Sequence, residues 1–153
     1  MALISTSVKT PVGLLQIAAD EHVLVSATFG PNPLEETKRV KQIPVISDLI
    51  ESYFDGDIEA INAITVRQPG APFSQAAWKS MRKIKAGKVL SYADLAQRAG
   101  SPAAVRAAGS ACAKNAIVLV VPCHRVVKTG GALGNYAFGL DTKEWLLRHE
   151  GAL

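Results

Sequence analysis

The sequence predicts a mixed α/β protein of the α+β type, in which a small sheet domain precedes a mostly helical domain. In the first third of the chain, short apolar runs are separated by turn residues, which is typical of a strand meander. Beyond position 72, apolar residues recur at helical spacing instead. A segment rich in proline and glycine, residues 68–72, separates the two patterns. We therefore predict two domains, residues 1–68 and 73–153.

In the first domain, the predicted elements are three strands, one helix and a further short strand. The strands of the meander are residues 2–8, 13–19 and 22–29. The helix has apolar residues at Ile46, Leu49, Ile50 and Tyr53 and ends near Gly56. The last strand of this domain is predicted at residues 61–66.

Four helices are predicted in the second domain. The first begins at a capping Ser74, buries Ala77, Trp78, Met81 and Ile84, and stops at Gly87. The second opens with Ser91 and Asp94 at capping-box spacing and ends at Gly100, and the third has Ser101 as its cap and Pro102 at its first position. The last has Asp141 and Glu144 as a capping pair and stops at Gly151. The second and third helices form a helix-turn-helix candidate.

The third of these helices, residues 102–113, has two interpretations. It is rich in alanine, and Arg106 is its only charged residue. Small side chains allow close packing on a neighbouring helix, with the arginine reaching to solvent. They also allow the backbone to lie close to DNA, with Arg106 as a single long probe. The pattern alone favours the packing interpretation.

Composition narrows the possible functions. Hydrophobic residues make up 48% and charged residues 20% of the 153 residues, as in a packed soluble protein. The first ten residues do not form a signal peptide, and the longest wholly apolar run, 116–122, is too short to span a bilayer. Two cysteines and three scattered histidines provide no metal-ligand spacing and no disulfide framework. We expect a soluble intracellular protein without a metal or cofactor.

The charge is divided unevenly along the chain. Residues 71–153 contain 12 Lys and Arg against 4 Asp and Glu, whereas residues 1–70 contain 5 against 9. A basic half joined to an acidic half indicates that one half contacts a polyanion.

The polar residues after the apolar run 117–121 raise the question of a nucleophile. The run predicts a buried strand that Pro122 ends, so that Cys123 lies at the start of a loop. Lowering a thiol pKa by two units takes about 2.7 kcal/mol, which the imidazole of His124 and the guanidinium of Arg125 could supply. A water-mediated contact between Cys123 and His124 is favoured, and Glu150 could orient the histidine. The dipole of the last helix disfavours a negative charge at its C-terminal end, so an imidazolium partner would explain the position of Glu150. The opposing interpretation is an inert core cysteine and a solvated glutamate at a helix end.

Residues 73–151 closely resemble the O6-alkylguanine-DNA alkyltransferases, also called methylated-DNA–protein-cysteine methyltransferases. The resemblance rests on "VPCHRVV" at 121–127, "GNYAFG" at 134–139 and the helix pair with its arginine. It implies an RNase H-like N-terminal domain and a winged helix-turn-helix C-terminal domain. It also implies repair by single-turnover transfer of an alkyl group from O6-alkylguanine in double-stranded DNA to the protein, with O4-alkylthymine as a second candidate substrate.

The resemblance assigns chemical roles to five residues. Cys123 resembles the alkyl acceptor, and His124, oriented by Glu150, resembles the base that deprotonates it through a water. Asn115 resembles the residue that braces the active-site turn. Tyr92 resembles the phenol that gives a proton to the departing guanine and contacts a phosphate.

The resemblance also implies a DNA surface and a pocket. The alanine-rich helix would lie in the minor groove, with Arg106 filling the gap left by the flipped nucleotide. The implied DNA-binding residues are Tyr92, Ala104, Arg106, Ala107, Gly109 and Ser110, and the implied pocket residues are Pro122, Val126, Tyr136 and Ala137. Cys112 is predicted to be a packing residue. No metal or cofactor is implied, and we expect a monomer located in the cytoplasm, or in the nucleus of a eukaryotic cell.

Three alternatives remain at this point. Alkyltransferase-like binding proteins recognise the lesion without transfer, but they have tryptophan where this chain has Cys123. A sequence-specific helix-turn-helix regulator would need more groups able to read base edges than an alanine-rich helix offers. A thiol hydrolase would turn over and would need an oxyanion site, for which the sequence shows no motif.

Overall fold

The computed structural model describes residues 3–153, which form two compact units. The first consists of the described residues up to Gln68 together with Ala116–Val120. The second consists of Pro69–Asn115 and Val121–Leu153. Strands and helices are both present, and the predicted mixed α/β class is confirmed. No helix within residues 3–153 is long and apolar enough to cross a membrane.

The first unit contains a five-stranded sheet in the order β4-β1-β2-β3-β5. The strands are β1 (Leu3–Thr10), β2 (Gly13–Asp20), β3 (Val23–Thr28), β4 (Thr37–Arg39) and β5 (Thr65–Val66). The three long strands form the antiparallel meander that the sequence predicts, although the predicted first strand begins one residue outside the described chain. The two short edge strands pair in parallel with β1 and β3.

The core of this unit lies between the meander and helix α1 (Ile46–Phe54). The strands bury Leu15, Ile17 and Leu24, and α1 buries Ile50 and Tyr53. Leu15 and Ile17 alternate along β2, and the buried residues of α1 recur at helical spacing. This spacing allows the helix to be predicted from the sequence.

The predicted strand at 61–66 is mostly a helical turn. Ala60–Ala63 form a 3-10 helix, and only Thr65–Val66 are extended. Ile61 and Ile64 are both buried, and a spacing of three residues places them on one side of a 3-10 turn. The two-residue period of a strand was therefore the wrong one for this segment, which follows the three-residue period of a 3-10 helix. Strand β4 was not predicted.

The predicted strand at 117–121 is a turn. Its one strand-like contact is a bridge between Ile117 and Ala27, with N–H to O distances of 2.9 and 3.0 Å on either side. The chain then reverses at Leu119, where φ is +72° and the N–H of Val120 donates to the carbonyl of Val118 at 2.9 Å. This is a γ-turn, a conformation in which an L-residue is strained. Complete burial of the Leu119 side chain holds the turn in place.

The second unit contains four helices and a two-stranded parallel sheet. The helices are α2 (Pro72–Met81), α3 (Tyr92–Arg98), α4 (Val105–Ala113) and α5 (Leu140–His149). The strands β6 (Leu90–Ser91) and β7 (Val126–Val127) pair with each other. Helices α2, α3 and α4 pack together, and the buried Ala108 and Ala111 form the inner face of α4.

One of the predicted helix caps is confirmed and three are wrong. The N–H of Asp94 donates to Ser91 Oγ at 3.0 Å, as the capping-box pattern indicates. Helix α2 begins at Pro72 instead of after Ser74, because proline is favoured at the first helical position. It ends at Met81, well before Gly87, although Ile84 is still buried.

Helix α4 begins three residues later than predicted. Pro102 occupies the second position of a β-turn, in which the N–H of Ala104 donates to the carbonyl of Ser101 at 2.9 Å. Ser101 and Pro102 therefore belong to the turn between the paired helices. Helix α5 likewise follows Gly139 without a side-chain cap, so Asp141 does not act as one.

A buried hydrogen bond links α2 to α4. Trp78 Nε1 donates to the carbonyl of Ala111 at 2.9 Å, in the last turn of α4. We expect Trp78→Phe to lower the free energy of unfolding by about 1–2 kcal/mol, because it leaves that carbonyl without its donor. Denaturant unfolding of the full chain measures this. An unchanged midpoint and slope would mean that the bond contributes nothing to stability.

Candidate active site around Cys123

Cys123 is the first residue of a short 3-10 helix, Cys123–Arg125. It follows a second tight turn at Pro122, where φ is −83° and ψ is 67° and the N–H of Cys123 donates to the carbonyl of Val121 at 2.8 Å. The prediction of a loop directly after a strand is therefore wrong. The thiol is buried, with 5% of the residue exposed.

Asn115 connects the thiol to the turn that precedes it. Its Nδ2 donates to the carbonyl of Val121 at 2.8 Å, and its side chain also hydrogen-bonds to Cys123. Asn115 is itself buried just beyond the end of α4. The backbone around the cysteine is thus fixed by a side chain that does not belong to the turn.

Glu150 is shared by two neighbouring residues of the 3-10 helix. His124 Nε2 lies 2.8 Å from Glu150 Oε2, while Arg125 Nε and Nη2 each donate to the carboxylate at 2.9 Å. Arg125 Nη1 also donates to the carbonyl of Ile84 at 2.7 Å. All three charged or ionisable side chains are buried. A bidentate guanidinium is the strongest partner that a buried carboxylate can have.

Both partners of Glu150 affect which groups in this cluster carry charge. Burial alone would raise the pKa of Glu150, but His124 and Arg125 lower it to about 2. Burial lowers the pKa of His124, and attraction to Glu150 offsets this only in part. The cation beside Glu150 is therefore Arg125 and not the imidazolium expected from the sequence.

A neutral His124 has one nitrogen available as a base. Because a carboxylate only accepts hydrogen bonds, the ring proton lies on Nε2. The other nitrogen, Nδ1, is buried and has no hydrogen-bond partner among the described residues. Its lone pair is therefore free to accept a proton.

The thiol is not activated at rest by its neighbours. Burial raises the pKa of Cys123, and hydrogen bonding from Asn115 and the positive charge of Lys143 lower it only in part. The suggestion that the guanidinium of Arg125 stabilises a thiolate is wrong, since that group is bound to Glu150. Reaction at this sulfur therefore requires a base.

Lys143 is a site residue that the sequence analysis missed. It is fully buried, and its Nζ donates to the carbonyls of Val126 at 2.6 Å and Asn135 at 3.2 Å. Its spacing to Leu146 and Leu147 on α5 was a usable signal. A lysine in phase with core leucines lies on the buried face of a helix.

Tyr92 and the segment 134–138 approach each other closely. The backbone of Asn135 hydrogen-bonds to the Tyr92 phenol, whose pKa is raised by burial. Gly134 has φ +79°, and a Cβ there would lie 2.9 Å from Tyr92 Oη, so both its backbone conformation and the nearby phenol favour glycine. In the same segment, Tyr136 has a buried Oη without a hydrogen-bond partner in the described chain.

The remaining predicted site residues fall into two groups. Pro122 and Val126 are buried beside Cys123, whereas Ala137 is exposed. On α4, Arg106, Ala107 and Ser110 are exposed, Gly109 is half-buried, and Ala104 is a half-buried residue just before the helix. The packing interpretation therefore holds for the inner face of α4, and the outer face, with Arg106, is exposed. Within residues 3–153, no three His, Cys, Asp or Glu side chains are grouped to hold a metal ion.

Comparison with known sequences gives a consistent result. The family model of the 6-O-methylguanine DNA methyltransferase DNA-binding domain matches residues 72–152. A methylated-DNA–protein-cysteine methyltransferase of Shigella flexneri is 34% identical over 168 aligned positions, covering 100% of this chain and 98% of the relative. A human protein with the same name is 52% identical over 77 residues, which are 50% of this chain and 37% of the human protein.

Solved structures show the same likeness. A crystal structure of Mycobacterium tuberculosis OGT in complex with DNA superposes with a TM-score of 0.87 at 28% identity. The match covers 97% of this chain and 93% of that protein. A crystal structure of the M. tuberculosis O6-methylguanine methyltransferase gives a TM-score of 0.85 at 28% identity, covering 98% and 93% of the two chains.

Glu150→Gln should change the acid dependence of stability. The folded pKa of Glu150 is about 2, against 4.5 for an ordinary glutamate, so its charge stabilises the fold above pH 4.5 and that contribution disappears as the pH falls toward 2. We expect the variant to be less stable at neutral pH by about 3 kcal/mol, with the difference from wild type shrinking between pH 4.5 and 2. Unfolding free energies at several pH values measure this.

Glu144→Gln is the matched control, because Glu144 forms an exposed pair with Arg148 at 3.3 Å on the same helix. We expect it to change stability by no more than about 0.5 kcal/mol. A Glu150→Gln protein whose stability deficit is the same at every pH would contradict the assignment of a buried, ionised carboxylate.

Proposed function

The chain belongs to the methylated-DNA–protein-cysteine methyltransferases, and we propose that Cys123 is the cysteine that accepts the alkyl group. The predicted family is confirmed, and with it the function: direct repair of DNA by transfer of an alkyl group from O6-alkylguanine to the protein. The observation that carries the proposal for Cys123 is the unpartnered lone pair on His124, the neighbour of a buried thiol, with the opposite ring nitrogen held by Glu150.

His124 acts as the general base in the proposed reaction. Its Nδ1 takes the thiol proton through a bound water, and the thiolate of Cys123 attacks the alkyl carbon. The S–C bond forms as the bond from that carbon to O6 breaks. Glu150 stabilises the imidazolium that results, as a carboxylate behind a catalytic histidine does.

Tyr92 supplies a proton to the departing guanine in this proposal. Burial raises the pKa of its phenol, so it remains protonated at neutral pH and is able to donate. The proton that Tyr92 gives to the departing guanine thereby balances the proton that His124 removes from the thiol. The pocket for the base is proposed to be formed by Pro122, Val126, Tyr136 and Ala137. Asn115 keeps the cysteine turn rigid while the bond changes occur.

The partner is double-stranded DNA, and we propose that it contacts the exposed face of α4. Since the reacting atom is stacked inside the duplex, the nucleotide has to be flipped out at a cost of a few kcal/mol. Arg106 is exposed on a helix whose other outward residues are small, which allows it to fill the gap in the stack. The proposed contact residues are Tyr92, Ala104, Arg106, Ala107, Gly109 and Ser110.

The product explains why the protein should act once. Transfer converts Cys123 into a thioether, and the acid and base groups of this site do not hydrolyse a carbon–sulfur bond. We propose that the protein acts as a monomer with an N-terminal domain, 1–68, and a C-terminal domain, 73–153. Because the substrate is chromosomal DNA, the proposed location is the cytoplasm, or the nucleus of a eukaryotic cell.

Mixing the protein with duplex DNA that contains O6-methylguanine should add one methyl group per molecule, on Cys123. Cys123→Ser should abolish the transfer, because at neutral pH an alcohol is a far weaker nucleophile than a thiolate. Intact-mass and peptide mass spectrometry measure both. Cys112→Ser is the control and should retain full transfer, since burial raises the pKa of Cys112 to about 12. Continued turnover, or methyl on another residue, would refute the assignment.

Arg106→Ala should slow repair of duplex DNA by about 10-fold or more while leaving the reaction with free O6-benzylguanine within about 2-fold of wild type. The reason is that flipping costs a few kcal/mol in the duplex and nothing for a free base. Single-turnover rates with the two substrates measure this. Lys114→Ala, an exposed cation just beyond the same helix, controls for the loss of one positive charge. Equal losses on both substrates would remove the proposed role of Arg106.

A further inference from the structure

Lys143 has no role in the transfer as proposed so far, yet its burial is unusual. Lysine is almost never fully buried unless it is paired, and this side chain is 0% exposed. Its two hydrogen bonds go to main-chain carbonyls and not to a carboxylate. Carbonyls satisfy two of the three N–H donors but do not neutralise the charge. A full positive charge is therefore held in the pocket at a cost in desolvation.

The two carbonyls belong to different segments that are proposed to line the pocket. Val126 is in β7 and follows the 3-10 helix of Cys123, whereas Asn135 is in the segment that contains Tyr136. The same ammonium lies 6.0 Å from the centre of the Tyr92 ring. The backbone of Asn135 is hydrogen-bonded to the phenol of the same tyrosine. Lys143 therefore connects α5 to both of these segments and to Tyr92.

We infer that Lys143 is a positioning residue of the transfer reaction, whose ammonium fastens segment 134–138 to β7 and stabilises the thiolate that forms on Cys123 during attack. This inference rests on the proposed role of Cys123. The charge is in place before the reaction begins, so no reorganisation is needed when the anion appears.

The electrostatics of the pocket support this role. Burial lowers the pKa of Lys143, and the thiols of Cys112 on α4 and Cys123 raise it when they ionise. The coupling is reciprocal, because the positive charge of Lys143 lowers the pKa of both thiols. The charge on Lys143 also lowers the pKa of His124.

The other ionisable groups nearby do not replace this cation. Tyr92 and Tyr136 are neutral at physiological pH, because burial raises the pKa of both phenols. Glu150 is ionised, but its charge is balanced by Arg125. Lys143 is thus a positive charge that acts on Cys123 and that no carboxylate of the described residues pairs with, and the developing thiolate provides its missing counterion.

The test measures the thiol directly with iodoacetamide, in a Cys112→Ser background where Cys123 is the one remaining cysteine. In Lys143→Met, the pH midpoint of Cys123 alkylation should move up by about one unit, and the rate at neutral pH should fall about 10-fold. Lys143→Arg should recover most of this, because it keeps the charge. Lys88→Met, at an exposed lysine, should leave the profile unchanged.

Lys143→Gln separates charge from hydrogen bonding, because its amide can still donate to a carbonyl but is neutral. The inference predicts the same upward shift as in the Met variant, in a protein whose melting temperature is nearer to wild type. If either neutral variant folds and keeps the wild-type midpoint, Lys143 is only structural and the inference is wrong. Failure of the proposed function would be distinct: methyl from duplex DNA would then not be found on Cys123, whatever the iodoacetamide profile shows.

Discussion

The bidentate pair between Arg125 and Glu150 is the interaction on which the site depends. Together with His124, the guanidinium lowers the pKa of Glu150 and so keeps the carboxylate ionised inside the protein. The same guanidinium donates to Ile84, so it also joins the cysteine turn to the segment after α2 and to the end of α5. A buried ion pair of this kind adds little net stability, because both charges lose their hydration. Its effect here is to hold the carboxylate that fixes the proton on Nε2 of His124, which leaves Nδ1 available for the proposed role as a base.

Burial of Cys123 has opposing consequences for reactivity. A low-dielectric environment raises the thiol pKa, so the resting sulfur is a poor nucleophile. The same property protects it, because oxidation and nonspecific alkylation follow thiolate character and exposure. For a protein that can react once, an inert resting state is an advantage, since each unwanted reaction removes a molecule. In the proposed mechanism, the sulfur becomes reactive when His124 removes its proton and a bound substrate receives the attack.

The features that the sequence predicts well are those whose signal is local and repeated. The meander, helix α1 and the capping of α3 follow from periodicity and from one cap, and the adjacent residues at 121–127 carry the resemblance to the family. The turn at Leu119 could not be predicted, because an apolar run indicates burial without indicating the direction of the chain, and a positive φ at a buried leucine leaves no mark in the sequence. The caps at Ser74 and Ser101 were wrong because a nearby proline determined the local geometry. The sequence analysis assigned Arg125 to the thiol of Cys123. Its pairing with Glu150, 25 residues away, is set by the fold and has no local signal.

Helix α5 shows most directly that the site, and not helix stability, determines where its charges lie. Lys143, Leu146, Leu147 and Glu150 follow the i, i+3, i+4, i+7 pattern of one buried face. The lysine is near the positive N-terminal end of the helix dipole and the glutamate is at the negative C-terminal end, so each charge is in the less favourable position. Reversing the two residues would favour the isolated helix. It would also move the positive charge away from the thiol and the negative charge away from the histidine. The two positions, 143 and 150, lie about 10 Å apart along the helix axis. The leucines between them anchor the helix, and its two ends then present opposite charges to Cys123 and His124, the two partners of the proposed proton transfer.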